Sequence, residues 1–183
     1  MSTPAKPTPA SNPASDARPR LGFSGRVLTG ADWFQHYYDG ENVALLATGA
    51  EAATILPEIL HTAARVTVFE ESPTWVTPVR LPTGLLRRLA ARAYLRLAVH
   101  DPWTRRQLTP HKRFGSAHVQ VSPSYYAALQ DPRTSLVHWP TYAIVEKGVR
   151  AVDGVEYRFD TIVVGTTSKF AYAYSTQTPK KSA

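Results

Sequence analysis

The chain has 183 residues, carries a formal net charge of +7 and contains no cysteine. The length is enough for one domain with a hydrophobic core, and the charge favours anionic partners or a plain basic surface. The missing cysteines exclude disulfides, thiolate catalysis and zinc–thiolate sites, and no apolar run reaches the ~18 residues of a membrane-spanning helix. We expect a cytoplasmic protein, because the N-terminus also lacks the apolar segment of a secretory signal.

The two ends of the chain differ from its middle in composition. Residues 1–20 are rich in proline, alanine and serine and contain no aromatic side chain, so we expect them to be disordered. Residues 21–170 form the predicted domain, and residues 171–183 form a second loose, polar tail. The domain begins with a group of aromatic residues that we expect to pack beneath a sheet: Phe23, Trp33, Phe34, Tyr37 and Tyr38.

The chain is organised around a strand–helix–strand unit at residues 43–71. Residues 43–47 are uncharged and apolar, as in a strand that is buried on both faces of a parallel sheet. The following helix has an apolar face at helical spacing and contains Pro57, which should kink it. Residues 66–70 are the second strand, so the unit predicts an α/β fold.

Three small residues in this unit have the spacing of a dinucleotide-binding motif. Ala47, Gly49 and Ala52 form A-x-G-x-x-A where the motif has G-x-G-x-x-G/A, and Glu70 lies where an acid would bind a ribose hydroxyl. The unit therefore predicts a Rossmann-like domain with a degenerate dinucleotide site. The alternative is an α/β crossover that binds nothing, since Ala47 adds a methyl group where the tight turn prefers glycine.

A basic helix is predicted at residues 84–99. Its apolar stripe consists of Leu86, Leu89, Ala90, Ala93 and Leu97, whereas Leu95 falls among the arginines. The four arginines lie mostly off the stripe: Arg87, Arg88, Arg92 and Arg96. Such a helix can bind an anionic membrane surface or an acidic partner, or it can be an ordinary surface helix whose leucines cover the domain's own core.

The second half of the chain alternates short helices and strands. A helical turn starts at Asp101-Pro102, and a helix at residues 124–130 should be capped by Ser122, with Pro123 in its first position. The predicted strands are residues 135–139, 142–146, 149–152, 155–159 and 161–165, with a hairpin turn at Asp153-Gly154 and a central strand at 162–164. The whole pattern predicts a single Rossmann-like domain with a mostly parallel sheet and a small β-hairpin or meander appendage.

No other group of residues predicts a catalytic or metal site. No two of the six histidines are three or four residues apart, so a helical metal pair is absent, and no nucleophile elbow or phosphate loop occurs. Asp101, Asp131 and Asp160 are interpreted as structural. Residues 111–114, His-Lys-Arg-Phe, are either an anion site or a solvated loop.

Several short motifs occur in the order in which one enzyme family has them. Phe23, Gly25 and Trp33 match the fingerprint F-x-G-x-x-x-H-x-x-x-W, with Thr29 at the histidine position. The motifs S-P-T-W (72–75), D-P-W-T-R-R-Q-L-T-P-H-K-R-F-G (101–115), Tyr125-Tyr126-x-x-Leu129 and D-T-I-V-V-G-T-T (160–167) follow. Residues 21–170 thus resemble the NADP-binding domain of flavin-dependent Baeyer–Villiger-type and related flavin-containing monooxygenases.

This resemblance implies FAD-dependent oxygenation, but the departures from the family pattern weaken cofactor binding. The family's FAD domain has no counterpart in the chain, and its arginine for the NADP 2′-phosphate is Glu71. A Lys-Arg pair of the family is Ala117-His118, and its A-T-G is Gly165-Thr166-Thr167. The resemblance therefore implies no cofactor on this chain, with NAD still compatible with Glu70, and NADP and FAD disfavoured.

Three functions are compatible with the sequence. The leading hypothesis is a degenerate flavin-monooxygenase-like protein without monooxygenase activity, which acts as a binding, scaffold or regulatory protein in the cytoplasm or at the membrane surface. Its partner would be a protein, a second copy of the chain or an anionic membrane, and not a nucleic acid. The alternatives are the NAD(P)-binding component of a split monooxygenase whose FAD half is on another chain, and an NAD sensor.

Overall fold

The computed structural model of the protein describes residues 22–70, 72–82, 84–110 and 119–171. In chain order its elements are β1 (Arg26–Thr29), α1 (Asp32–Gln35), β2 (Asn42–Ala47), α2 (Gly49–Ile59), β3 (Arg65–Glu70), β4 (Trp75–Thr77), α3 (Leu85–Ala98), α4 (Pro102–Gln107), β5 (Val119–Val121), α5 (Tyr125–Leu129), β6 (Thr134–Val137), β7 (Thr141–Val145), β8 (Gly148–Ala151), β9 (Glu156–Arg158) and β10 (Thr161–Val164). The predictions for the two tails, Glu71, residues 111–114 and Ala117-His118 lie outside the described residues.

A five-stranded parallel sheet in the order β1-β10-β2-β3-β6 forms the centre of the fold. Its apolar residues are buried on both faces: Leu45 and Val163 pack into one core cluster, and Leu46 and Ile162 pack into the other. The predicted α/β class with a mostly parallel sheet is confirmed. The apolar run at 162–164 is a central strand, because β10 lies between β1 and β2.

Different elements cover the two faces of this sheet. Helix α2 packs on one face through Ala52, Ile55, Leu56 and Ile59, as its spacing predicts, and Pro57 lies inside the helix. The antiparallel sheet β7-β8-β9 covers the other face, where the ring of Tyr157 packs edge-on against the central-sheet residue Phe69 at 5.5 Å. The core is therefore a layered one, built around continuous apolar strands.

The smaller sheets include one predicted feature and one unpredicted feature. Asp153-Gly154 is the turn between β8 and β9: Gly154 has φ 85° and the Val155 N–H donates to Asp153 Oδ1 at 3.0 Å. The unpredicted feature is a parallel pair between β4 and β5, in the register Trp75 to Val119 and Thr77 to Val121. Strands as short as three residues carry too little periodicity to be recognised from sequence.

Two local predictions are wrong. Ser122 does not cap α5: its buried hydroxyl donates to the Ala53 carbonyl at 2.8 Å, and Ser124 occupies the N-cap position without a side-chain cap. Among the early aromatic residues, Phe23 and Tyr38 are buried, but Phe34 and Tyr37 are exposed. In both cases a tertiary contact decided the outcome, which local sequence rules do not contain.

The basic helix forms where the sequence predicts it, but it is turned the other way. Helix α3 buries Ala91 and Leu95, while the predicted stripe points outward, with Leu86 75% and Leu97 76% exposed. The interpretation that these leucines cover the domain's own core is therefore wrong. The helix packs beside β4, where the Arg92 guanidinium lies 5.9 Å from the Trp75 ring centroid. Among the described residues, no helix has the length and apolarity to cross a bilayer.

Candidate functional site

The carboxyl ends of the five parallel strands lie at one edge of the central sheet, and this edge holds the candidate site. From β2 the chain continues to β3 and β6 on one side, whereas β10 lies on the other side of β2. Open α/β sheets bind ligands where the strand order reverses in this way. We call the space between the ends of β2 and β10 the switch crevice, bordered by Thr48, Gly49, Glu51 and residues 165–167.

The Glu51 carboxylate lies inside the switch crevice and is bound to the segment that follows β10. Its Oε1 accepts hydrogen bonds from the Thr166 hydroxyl at 2.5 Å and the Thr167 N–H at 3.1 Å. Its Oε2 accepts from the Thr167 hydroxyl at 2.6 Å, and the Thr48 hydroxyl lies 3.3 Å away. The carboxylate thus joins the start of α2 to the end of β10.

These contacts favour the ionised form of Glu51. Burial alone would raise the pKa of the Glu51 carboxyl, but the hydrogen bonds from Thr166 and Thr167 outweigh it and lower the pKa below its usual value. The carboxylate also lies in the first turn of α2, where the helix dipole favours a negative charge. The switch crevice therefore contains a stable anion that belongs to the chain itself.

Gly165 shows how closely this carboxylate fills the crevice. A Cβ atom added at Gly165 would lie 2.4 Å from Glu51 Oε2 and 3.1 Å from the Ala47 Cβ. Gly165 continues the ladder of the sheet, since its N–H donates to the Leu46 carbonyl at 2.8 Å. A side chain at this position would displace Glu51, so the glycine and the carboxylate fit as a pair.

The face of Gly49 is covered by the segment that follows β3. The Gly49 N–H donates to the Ser72 carbonyl at 2.9 Å. A Cβ atom at Gly49 would lie 2.5 Å from Glu70 Oε1, 2.8 Å from the Thr74 nitrogen and 3.0 Å from the Ser72 oxygen. Glycine at the centre of a dinucleotide motif normally gives a pyrophosphate this close approach. In this structure the space beside Gly49 contains atoms of the chain itself.

Glu70 is the second acid at the start of α2, and its environment is the opposite of that of Glu51. Burial raises the pKa of the Glu70 carboxyl to about 7. Tyr125 lies close enough for the Glu70 charge to contribute to its raised pKa, although burial is the larger cause. The buried Tyr125 hydroxyl has no hydrogen-bond partner among the described residues. The Glu70 carboxyl therefore keeps its proton to a higher pH than an exposed glutamate does.

The structure brings most of the predicted site residues to the start of α2. Ala47 ends β2, Gly49 begins α2, Glu70 ends β3, and Ala52 is buried in the core below them. The sequence did not predict a role for Glu51, whose carboxylate accepts hydrogen bonds from Thr166 and Thr167 in the switch crevice. The signal was present, because Thr48 and Glu51 form the T-x-x-E pattern that usually marks a helix start. The Glu51 side chain turns toward Thr166 and Thr167 instead of capping its own helix.

The family fingerprint residues lie at the β1 side of the sheet and have structural contacts. Phe23 is buried, and Trp33 packs against the core while its carbonyl accepts the Tyr38 hydroxyl at 2.7 Å. Gly25 is closely packed: an added Cβ would lie 2.4 Å from the Asp160 carbonyl oxygen. Thr29 is the last residue of β1 and pairs with Val164. Thr29 thus ends its strand at the same edge as the switch crevice.

Three aspartates have the structural surroundings that their interpretation predicts. The Asp101 carboxylate caps α4 by accepting from the Thr104 N–H at 2.6 Å. Asp131 forms an ion pair with Arg133 at 3.0 Å, and Asp160 accepts from the Asn42 N–H at 2.8 Å. No group of three or more potential metal ligands occurs within the described ranges of the chain.

The outward face of α3 is a second candidate surface. We call it the leucine–arginine face, because leucines and arginines are exposed side by side: Leu85, Leu86, Leu89, Leu97, Arg88, Arg92 and Arg96. Arg87 is not part of this face, because it is half-buried. Helix α3 contains no acidic residue. The surface is therefore apolar and positively charged at once.

The space beside Gly49, where a dinucleotide-binding fold admits the pyrophosphate, contains other atoms of the chain in the arrangement described. The pyrophosphate would have to approach Gly49, where Glu70 Oε1 and the backbone of Ser72 and Thr74 already lie. It would also meet the Glu51 carboxylate at the start of α2, so two like charges would be close together. The residues of the predicted degenerate site thus lie near the start of α2, next to other atoms of the chain.

Comparison with known proteins places these observations in a family. No protein-family profile matches the chain. A Baeyer–Villiger monooxygenase of Streptomyces coelicolor is 31% identical over 201 residues, covering 86% of this chain and 38% of the relative. A Baeyer–Villiger monooxygenase of Pseudomonas aeruginosa is 26% identical over 200 residues, covering 84% of this chain and 38% of the relative.

Solved structures with the same fold come from the same kind of enzyme. An open crystal structure of cyclohexanone monooxygenase aligns with a TM-score of 0.67 at 18% identity, covering 82% of this chain and 45% of that one. A steroid monooxygenase bound to NADP aligns with a TM-score of 0.65 at 19% identity, covering 79% and 42%. The chain spans about two fifths of the length of the curated relatives it matches. The predicted resemblance is confirmed: the chain is homologous to a part of the Baeyer–Villiger-type flavin monooxygenases.

Proposed function

We propose that this chain is a binding domain derived from the flavin monooxygenases, without monooxygenase activity of its own, that holds a protein partner through the leucine–arginine face. The observation that carries this proposal is the exposure of Leu85, Leu86, Leu89 and Leu97 on one helix. Contiguous exposed apolar side chains usually mark an interaction surface, because leaving them in water costs free energy.

The charge of the face supports a partner of a particular chemistry. Arg92 and Arg96 are exposed beside the leucines, and α3 itself contains no acidic residue. A partner that presents apolar side chains together with aspartates or glutamates would complement both features. A second copy bound through the same face would bring like charges together, so we propose a different, acidic protein.

The filled switch crevice supports a binding function over a redox function. Oxygenation in a flavin enzyme depends on the cofactor, and the protein supplies its seat and orientation. In this chain the place for a pyrophosphate contains Glu51, Glu70 and the Ser72 carbonyl. We therefore expect the purified protein to be colourless after desalting and to consume no NADPH, measured by absorbance with and without added FAD.

A pull-down experiment with matched variants tests the proposed partner. The wild type, the triple variant Leu86→Gln/Leu89→Gln/Leu97→Gln and the control Tyr142→Gln/Val155→Gln are immobilised and exposed to a lysate of the source organism. Tyr142 and Val155 are also exposed apolar side chains, but they lie outside α3. We expect the wild type and the control to retain one acidic protein that the α3 variant loses.

The retained protein is then purified and titrated by calorimetry against the wild type, the triple variant and the control at two salt concentrations. Binding should weaken as salt rises, because the arginines contribute screened attraction. If the wild type, the triple variant and the control retain the same proteins, the leucine–arginine face is not the binding surface. If the wild type binds phosphatidylserine vesicles but no protein, the partner class is wrong.

The second candidate is the nucleotide-binding component of a split monooxygenase, favoured by the relation to Baeyer–Villiger monooxygenases and by the fold shared with the NADP-bound steroid monooxygenase. It requires the wild type to bind NADP with saturation, whereas an NAD sensor requires saturable binding of NAD. Calorimetric titrations with both nucleotides at equal ionic strength separate these candidates from the binding protein, which we expect to bind neither.

A further inference from the structure

The donors at the switch crevice are all satisfied by one side chain. The Thr166 hydroxyl, the Thr167 N–H and the Thr167 hydroxyl converge on the Glu51 carboxylate within 2.5 to 3.1 Å. The Thr48 hydroxyl lies 3.1 Å from the Thr167 hydroxyl and belongs to the same group. Two hydroxyls and a backbone N–H around an anion are the kind of contacts that proteins also use to bind phosphate groups.

The position of this group in the fold is the second part of the argument. The carboxylate lies in the first turn of the 11-residue helix α2 and at the point where the strand order reverses. Helix N-termini attract anions, and the reversal point is where such folds bind phosphate-containing ligands. Gly165 provides the space, since a Cβ atom at this position would lie 2.4 Å from Glu51 Oε2. One internal anion therefore has the surroundings of a bound phosphate.

We infer that Glu51 is a resident carboxylate that occupies the phosphate position of the switch crevice and thereby keeps dinucleotides out of it. The inference goes beyond the proposed binding function, because it concerns the switch crevice and not the leucine–arginine face. It also explains why Gly165, Thr166 and Thr167 have these identities: the glycine makes room and the two threonines donate. The excluded ligands are those with a pyrophosphate, such as NAD and NADP.

The inference predicts a gain of binding, which an ordinary structural acid would not give. Removal of the Glu51 charge leaves the donors of Thr48, Thr166 and Thr167 without an acceptor at the start of α2. Unpaired donors at a helix N-terminus attract an external anion. Substitution of Glu51 should therefore create a site for pyrophosphate and, with Glu70 also neutralised, for a dinucleotide.

The experiment measures binding to the wild type and four variants by calorimetry at one ionic strength, with inorganic pyrophosphate, NAD and NADP as probes. The variants are Glu51→Ser, which removes charge and volume, Glu51→Gln, which keeps the shape, and Glu51→Ser/Glu70→Gln. The matched control is Glu58→Gln, which neutralises an exposed acid near the other end of the same helix. Circular dichroism and thermal unfolding confirm that each variant is folded.

We expect no saturable binding of the three probes to the wild type or the control. Glu51→Ser should bind pyrophosphate at least about tenfold more tightly than the wild type does. The double variant should bind NAD or NADP more tightly than Glu51→Ser does. If Glu51→Ser does not fold, Glu51→Ala replaces it, because it also removes both the charge and the volume of the side chain.

The inference is overturned if the folded variants bind all three probes no better than the wild type does. It is equally overturned if the wild type binds NADP with saturation and the Glu51 substitutions leave that affinity unchanged. Partner retention by α3 should be the same in Glu51→Ser as in the wild type, so failure of the proposed function and failure of this inference are separately visible.

Discussion

Helices α2 and α3 have apolar stripes of the same kind, but only α2 buries its stripe. In α2 the leucine and isoleucines at helical spacing lie against the central sheet, and Leu56 is fully buried. In α3 the leucine stripe points to solvent, and the helix is held by the smaller pair Ala91 and Leu95. The difference teaches that an apolar stripe predicts a helix, whereas the neighbouring elements decide which side of that helix is buried.

The largest test of this comparison is one leucine from each stripe. Leu56→Ala should lower the free energy of unfolding by about 2–5 kcal/mol, because it leaves a cavity against the sheet. Leu86→Ala should change it by less than about 0.5 kcal/mol, because the side chain is exposed. Urea unfolding of both variants measures the two values. Similar losses in the two variants would show that the α3 stripe is covered in solution.

The same comparison can be made within α3. Leu95→Ala should cost about 2–3 kcal/mol, since Leu95 is 3% exposed and packs in the main core cluster. Leu97→Ala, two residues further on, should cost almost nothing, because the side chain is exposed. Thermal unfolding of the two single variants is sufficient. A larger effect at Leu97 than at Leu95 would mean that the helix has the opposite orientation.

Helices α2 and α3 also differ in charge. The carboxyl groups of Glu51 and Glu70 lie near the start of α2, whereas α3 contains no acidic residue. The pKa of Glu70 is about 7 in the folded protein. As pH rises from the usual glutamate pKa to 7, the unfolded chain loses this proton first, so Glu70 destabilises the fold progressively. Glu70→Gln should therefore raise the free energy of unfolding by up to about 3 kcal/mol at pH 8 and leave it unchanged near pH 4.

This pH dependence is measured as the difference between the variant and the wild type in urea unfolding at the two pH values. Glu58→Gln is the control, because Glu58 is an exposed acid on α2, outside the start of the helix. A gain at pH 8 that persists at pH 4 would show that packing, and not the proton, is responsible.

Substitution of Glu51 should change the free energy of unfolding in the opposite direction from substitution of Glu70, and by a smaller amount. Its pKa is lowered in the folded protein, so its stabilisation is fully present above the usual glutamate pKa and is lost as pH falls through the folded value. Glu51→Gln should cost about 1–2 kcal/mol at pH 7, because charged hydrogen bonds to Thr166 and Thr167 are weakened. The cost should shrink at acid pH. A constant cost across the pH range would contradict the assignment of Glu51 as an ionised group.

The sequence was sufficient for the class of fold, because short apolar runs such as those of β2 and β10, on either side of helical stretches, are typical of a buried parallel sheet. It was also sufficient for the family, since the matching motifs occur in order. It was insufficient for the short pair β4–β5 and for the orientation of α3, which depend on contacts between distant segments. Glu51 was missed because its donors, Thr166 and Thr167, are more than a hundred residues away in the chain.

The parallel pairing of β4 with β5 has a consequence for how this protein can change in length. Trp75 pairs with Val119 and Thr77 with Val121. The two ends of the intervening segment, which includes α3 and α4, are therefore close together in the structure. Closing a longer loop costs little additional entropy when its ends are already neighbours. Insertions at exposed positions between these strands should therefore be tolerated as long as Ala91 and Leu95 stay packed in the core, which makes this segment suitable for the graft of a reporter domain.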